Sequence, residues 1–155
     1  MKKSAKKGFT LIELMIVLAI IAILAMVLIP KAGNFKSEAK NAGVATNVNQ
    51  VRASLENKVG DKFIGTASAL ATNLNSMYSS DPIKNPFFTG NDDVVATSTT
   101  TNPAVYVVET TEPSLTNYKG SVIVVITNNT TTGEKYYTVF GVDGEGNKVN
   151  SVVIK

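Results

Sequence analysis

Glu13 is the side chain in this sequence that most needs a chemical explanation. From Leu14 to Ile29, sixteen consecutive residues carry no polar side chain, and the run reaches back to Phe9 with only Thr10 and Glu13 interrupting it. As a helix rising about 1.5 Å per residue, positions 9–29 reach roughly 31 Å, enough to cross the hydrocarbon core of a bilayer. A charge at the centre of such a helix costs about 2.5–3.5 kcal/mol on insertion scales and less towards its end, so an acid kept one turn inside is a functional candidate. Buried charges are tolerated when paired, which makes a cation its natural partner. Four lysines, Lys2, Lys3, Lys6 and Lys7, precede the run. They place the N-terminus on the cytoplasmic side. The run is too long for the h-region of a cleaved secretory signal, and no A-x-A-like site follows it.

The rest of the chain offers little catalytic chemistry. It contains no histidine and no cysteine. That excludes Ser-His-Asp and Cys-His nucleophiles and the common zinc sites, so a non-enzymatic protein without a cofactor is expected. Asp143-Gly144-Glu145-Gly146-Asn147 brings Asp143 and Glu145 into one loop with small spacers. This is a calcium candidate, yet it lacks the ligand spacing of a helix–loop–helix calcium site, and a plain turn explains the same residues. Gly144-x-Gly146 is not a phosphate loop, because a strand rather than a helix is expected after it. Asp92-Asp93 reads as an exposed loop pair, and Thr97–Thr101 as a solvated linker or a tract for O-glycosylation. Asn128-x-Thr130 and Asn129-x-Thr131 fit the N-glycosylation pattern.

Charge narrows the partners. The formal net charge is +3, but residues 9–155 hold eleven basic and twelve acidic side chains, and residues 30–155 hold eleven of each. The basic character belongs to the first eight residues. The remainder carries no nucleic-acid footprint.

Lys6-Lys7-Gly8-Phe9-Thr10-Leu11-Ile12-Glu13-Leu14-Met15 resembles the processing and assembly signature of type IV prepilins. Glycine, phenylalanine, glutamate, basic leader and apolar run all fall in the register that signature needs. The resemblance covers about the first thirty residues closely and the whole architecture more loosely. It implies that a membrane peptidase cuts after Gly8, that the new N-terminus Phe9 is methylated, and that Glu13 is required for filament assembly. It also implies an inner-membrane platform protein and an assembly ATPase as partners, with membrane lipid around the helix before assembly. Two departures stand out. Related pilins often close their C-terminal region with a disulfide, which this chain cannot form. They also often carry a glycine within the membrane helix, where position 22 here is alanine.

The elements that must position these residues follow from periodicity. Pro30 lacks an N–H and clashes with the preceding turn, so a bend rather than a stop is expected there. Phe35, Ala39, Ala42, Ala45, Val48, Val51, Leu55 and Val59 recur at spacings of three and four, an apolar stripe that Gly60-Asp61 ends. One helix from Phe9 to Val59 would thus be apolar all round in its first half and amphipathic in its second. Leu70, Leu74, Met77 and Tyr78 predict a short second helix between Ala67 and Tyr78, and Asp81-Pro82, Asn85-Pro86 and Gly90-Asn91 are turn signals. From Ala104 the period becomes two: Ala104–Glu109, Ser121–Thr127, Lys135–Phe140 and Lys148–Ile154 read as strands. Val122–Ile126 is apolar on both faces, as a central strand is. Asn128–Gly133 and Asp143–Asn147 read as hairpin loops.

The fold expected is α+β, a long N-terminal helix packed on a C-terminal antiparallel sheet of about four strands, which also resembles the pilin fold. Residues 1–8 are the leader and 9–30 the membrane or filament-core helix. The head is 31–155, made of the amphipathic helix 31–59, a connection over 60–103 and the sheet over 104–155. The function expected is that of a major type IV pilin, a membrane protein before assembly and an extracellular homopolymer after it, serving adhesion, motility or aggregation. Two alternatives share parts of this reading: a pseudopilin of a type II secretion or DNA-uptake system, and a monomeric membrane-anchored binding module.

Overall fold

The computed structural model describes residues 8–59, 62–88, 95–97, 102–109 and 111–155, with residues 30–32 by backbone alone. Asp92-Asp93, Gly60-Asp61, Gly90-Asn91 and most of the Thr97–Thr101 tract lie outside the described residues. Two compact units divide the chain, one ending at Ser37 and the other spanning Glu38–Lys155.

Helix α1 covers Leu11–Glu56 and continues unbroken through position 30. In the first unit, Leu11–Ile29 is long and apolar enough to cross a membrane, and none of it is buried. The helix starts two residues later than the hydrophobic pattern alone gives, because Thr10 caps it. It ends at Glu56, where the Lys58 N–H turns back to the Leu55 carbonyl at 2.7 Å in a tighter i+3 bond.

In the second unit, Val44, Val48, Val51 and Leu55 of α1 are fully buried. The expected stripe is therefore fully covered only at Val48, Val51 and Leu55, and Val44, which it did not include, is buried with them. Ala39 and Ala42 are exposed, and Ala45 is half-buried. Phe35, in the first unit, is 64% exposed. The expected stripe needs correction at Ala39, Ala42 and Ala45: the bulkier Val44 takes the buried position instead, since branched side chains gain more from burial. Helix α2, Ala67–Met77, buries Leu70, Ala71 and Leu74. Met77 stays exposed, while Tyr78 just beyond it is buried.

The sheet has five strands in sequential order: β1 (Val95–Ala96), β2 (Val105–Glu109), β3 (Val122–Asn128), β4 (Lys135–Val142) and β5 (Lys148–Ile154). The four expected strands are all present, and Val122–Ile126 lies at the centre as its two-faced apolarity requires. β3, β4 and β5 are antiparallel, joined by hairpin loops in which Gly133 and Gly146 adopt φ of 74° and 94°. The antiparallel expectation needs correction at β2, which runs parallel to β3, Val105 opposite Val122 and Glu109 opposite Ile126. A parallel pair needs a long crossover, and residues 110–121 supply it with a single 3-10 turn at Leu115–Asn117. The short β1, also parallel to β2, was not anticipated. Asn75 of α2 holds it there: its amide donates to the Val95 carbonyl at 3.0 Å and accepts the Val95 N–H at 3.1 Å.

Both faces of the sheet are covered. On one side Val105, Val107, Val122, Val124, Ile126, Tyr137 and Val139 meet α1 and α2. On the other, Tyr106, Ile123, Val125, Phe140 and Val142 pack under Tyr118 and Leu115 of the crossover. Tyr106 and Tyr118 stack with centroids 4.6 Å apart. Tyr137 ties the segment after α1 to the sheet: its hydroxyl accepts the Ile64 N–H at 2.8 Å, and Phe63 stacks on its ring. Glu109 at the end of β2 accepts the N–H of Ala67 at 2.6 Å. It thereby caps α2, whose N-cap Thr66 makes no side-chain bond.

Candidate functional site

The start of α1 is a reciprocal hydrogen-bonded box. Thr10 occupies the N-cap and Glu13 the third helical position, the Thr-x-x-Glu spacing of a capping box. The Thr10 N–H donates to Glu13 Oε2 at 2.8 Å, and the Thr10 hydroxyl donates to the same oxygen at 2.7 Å. The Glu13 N–H points back at Thr10 Oγ1 at 3.3 Å. Two backbone N–H groups that a helix start would leave without partners are thus satisfied inside four residues. The first carbonyl in helical register is that of Thr10, which accepts the Leu14 N–H at 3.3 Å.

Gly8 and Phe9 precede this box and lie outside the helix, both exposed, Phe9 by 89%. A Cβ built on Gly8 would have no neighbour within 4 Å. The described fold therefore gives no steric reason for glycine at that position. Beyond the box the helix presents Leu11, Ile12, Leu14, Met15, Ile16, Val17 and Leu18 to solvent at 49–78% exposure. An acid, a backbone segment free of helical bonding and a long bare apolar surface are consequently gathered within one turn. Sequence reasoning singled out Gly8, Phe9 and Glu13 but missed Thr10, although the Thr-x-x-Glu spacing was there to find it.

Asp143 and Glu145 do share a hairpin loop, but the loop uses them itself. Asp143 Oδ1 accepts the N–H groups of Glu145 at 2.9 Å and Asn147 at 2.8 Å, and Oδ2 accepts from the Asn147 amide at 3.2 Å. Burial works against the Asp143 carboxylate, but these bonds from Asn147 and Glu145, with a contribution from Gly146, outweigh it and hold its pKa below the usual value. Glu145 accepts a longer bond from the Asn147 amide at 3.4 Å. Among the described residues, no group of three or more His, Cys, Asp or Glu side chains is placed to hold a metal ion.

Residues 3–29 match the family described as the prokaryotic N-terminal methylation motif. The chain is 45% identical over 69 residues to a type IV major fimbrial protein FimA of Dichelobacter nodosus, covering 41% of this chain and 44% of that protein. A second FimA from the same species is 46% identical over 77 residues, covering 44% of this chain and 49% of its own length. The chain thus spans less than half the length of these curated relatives. No solved structure matches it. The matched residues include the capping box and the Gly8–Phe9 peptide, so the chain carries the N-terminal methylation motif of prokaryotic prepilins and through it is similar to type IV major fimbrial proteins.

Proposed function

We propose that this chain is the precursor of a major type IV pilin, a structural subunit that loses residues 1–8, is N-methylated at Phe9 and polymerises without covalent links into a surface filament. Glu13 is the observation that carries this reading: an acid in the first turn of an otherwise bare apolar helix, in the matched motif, four residues after Phe9. In this reading residues 9–30 anchor the precursor in lipid and later form the filament core. Residues 31–155 form the head, with 31–59 as its helix, 60–103 as the connection and 104–155 as the sheet. A prepilin peptidase, an inner-membrane platform protein and an assembly ATPase are the partners.

Energetics explain why one acid matters. Apolar side chains gain little by leaving lipid for one another, so a helix such as Leu11–Ile29 has no preferred axial register with its neighbours. Cleavage after Gly8 creates an ammonium at Phe9, and methylation leaves it charged. Leaving one member of a buried charge pair alone typically costs about 3–5 kcal/mol. The ammonium of a neighbouring subunit, seated on Glu13, fixes the stagger. In this reading Pro30, which has no N–H to give, is the place where the helix can bend without stopping. With alanine at position 22, it is the weak point left in that stretch.

Electron microscopy of cells expressing Glu13→Val as the sole subunit tests the reading. The variant is inserted and cleaved, since leader, Gly8 and apolar run are intact, but builds no filaments. Long fibres at wild-type abundance would refute the pairing.

A further inference from the structure

We propose that Thr10 is a positioning residue for leader removal: by capping α1 it keeps the Gly8–Phe9 peptide out of the helix, where a peptidase can reach its carbonyl. The inference rests on the reading of the chain as a prepilin. Hydrolysis adds one water across the Gly8–Phe9 amide. The C–N bond breaks, Gly8 becomes a carboxylate, and the Phe9 amine takes up a proton. The carbonyl carbon under attack must be open on one face, and a carbonyl in the first turn of a helix is not. It accepts the N–H four residues on and is shielded by the turn above it.

The sequence would otherwise favour that closed arrangement. The run from Leu11 to Ile29 forms helix without interruption, and an apolar surrounding pushes every backbone group near it towards a partner. If position 10 could not cap, the next acceptable cap upstream is Gly8 itself, since glycine ranks beside threonine at this position while aliphatic residues rank far below. The carbonyl of an N-cap residue already accepts the first intrahelical bond. With Gly8 as cap, its carbonyl would accept the Ile12 N–H, and the bond to be cut would sit in the first turn.

Thr10 prevents this. Its carbonyl, not that of Gly8, receives the first helical bond, from Leu14 at 3.3 Å. Its N–H and hydroxyl are both committed to Glu13 Oε2, at 2.8 and 2.7 Å. A Thr10 N–H bonded to the side chain of Glu13 is already satisfied, so extending the helix upstream gains nothing there. The glycine at position 8 fits the same account, because nothing within 4 Å of its missing Cβ asks for it. Its smallness serves the enzyme that must close around the peptide.

The test is a time course of leader removal from the full-length chain in membrane vesicles containing its peptidase, read by mass. Three variants are compared with wild type: Thr10→Val, similar in shape but unable to cap, and Thr10→Ser and Thr10→Asn, which can. Thr10→Val should slow cleavage about fivefold at limiting peptidase, the effect of losing one typical cap. Ser and Asn should restore most of the rate. Isotope-edited infrared spectroscopy of the Gly8 carbonyl should show it moving to a helical frequency in Thr10→Val alone. Wild-type cleavage of Thr10→Val, or equal slowing by all three substitutions, overturns the capping role and leaves the prepilin reading standing. Failure of wild type itself to be cut after Gly8 overturns both.

Discussion

Gly141 of β4 lies directly beneath Val44 of α1: a Cβ added to Gly141 would come within 2.4 Å of Val44 Cγ1 and 3.1 Å of Val48 Cγ2. Helix and strand approach at this point as closely as backbone and side chain allow. A valine methyl on a rigid helix cannot swing aside as a long side chain can. Gly141→Ala should therefore destabilise the head by about 1–3 kcal/mol through overpacking. Adding Val44→Ala should recover part of that loss, because the two sites share one contact. Denaturant unfolding of a fragment of residues 34–155 measures both. Gly141→Ala with unchanged stability would mean that α1 does not seat there.

Leu55 is fully buried among Leu70, Leu74 and the sheet residues on the helical side. Leu55→Ala in the same fragment should cost about 2–5 kcal/mol. A loss below about half a kcal/mol would contradict the helical phase described here. The fragment should unfold cooperatively, with a midpoint indifferent to reductant, since the chain has no cysteine.

The three tyrosines that anchor the fold give it an alkaline limit. Burial raises the pKa of Tyr78 against its hydrogen bond with Ser54, and that of Tyr137 against the bond from the Ile64 N–H. Tyr118 is pushed up to about 12 by burial and then by its neighbour Tyr106. Unfolded tyrosine titrates near about 10, so above that pH the unfolded chain loses protons that the native head keeps. The stability tied to Tyr118 should be complete below pH ~10 and lost as pH rises towards ~12. Phenolate absorbance during a stepwise alkaline titration should show late tyrosines ionising together with unfolding. Free titration of all tyrosines in a folded head would contradict their burial.

Much of this architecture was legible in the sequence, for reasons that differ by element. The strands β2 to β5 announced themselves by Val, Ile, Tyr and Phe at period two, and the glycines at 133 and 146 marked the hairpins. The direction of β2 was not legible. A twelve-residue crossover with one 3-10 turn has no period, so nothing local distinguishes it from a hairpin loop. The cover on the far face was hidden for the same reason, because Leu115 and Tyr118 stand in an otherwise polar stretch. β1 exists because the side chain of Asn75 imitates a neighbouring strand, a long-range contact that no window of sequence contains. Thr10 differs from these. Its spacing to Glu13 is a local signal, masked only because the carboxylate of Glu13 reads first as a charge and second as a cap.

In the prepilin reading the chain is cut after Gly8 and acts through the new end. The most direct measurement is the mass of the N-terminal peptide from protein sheared off the surface of cells that express it. A chain beginning at Phe9 with a monomethylated amine is expected. Surface protein that still carries residues 1–8 would contradict it.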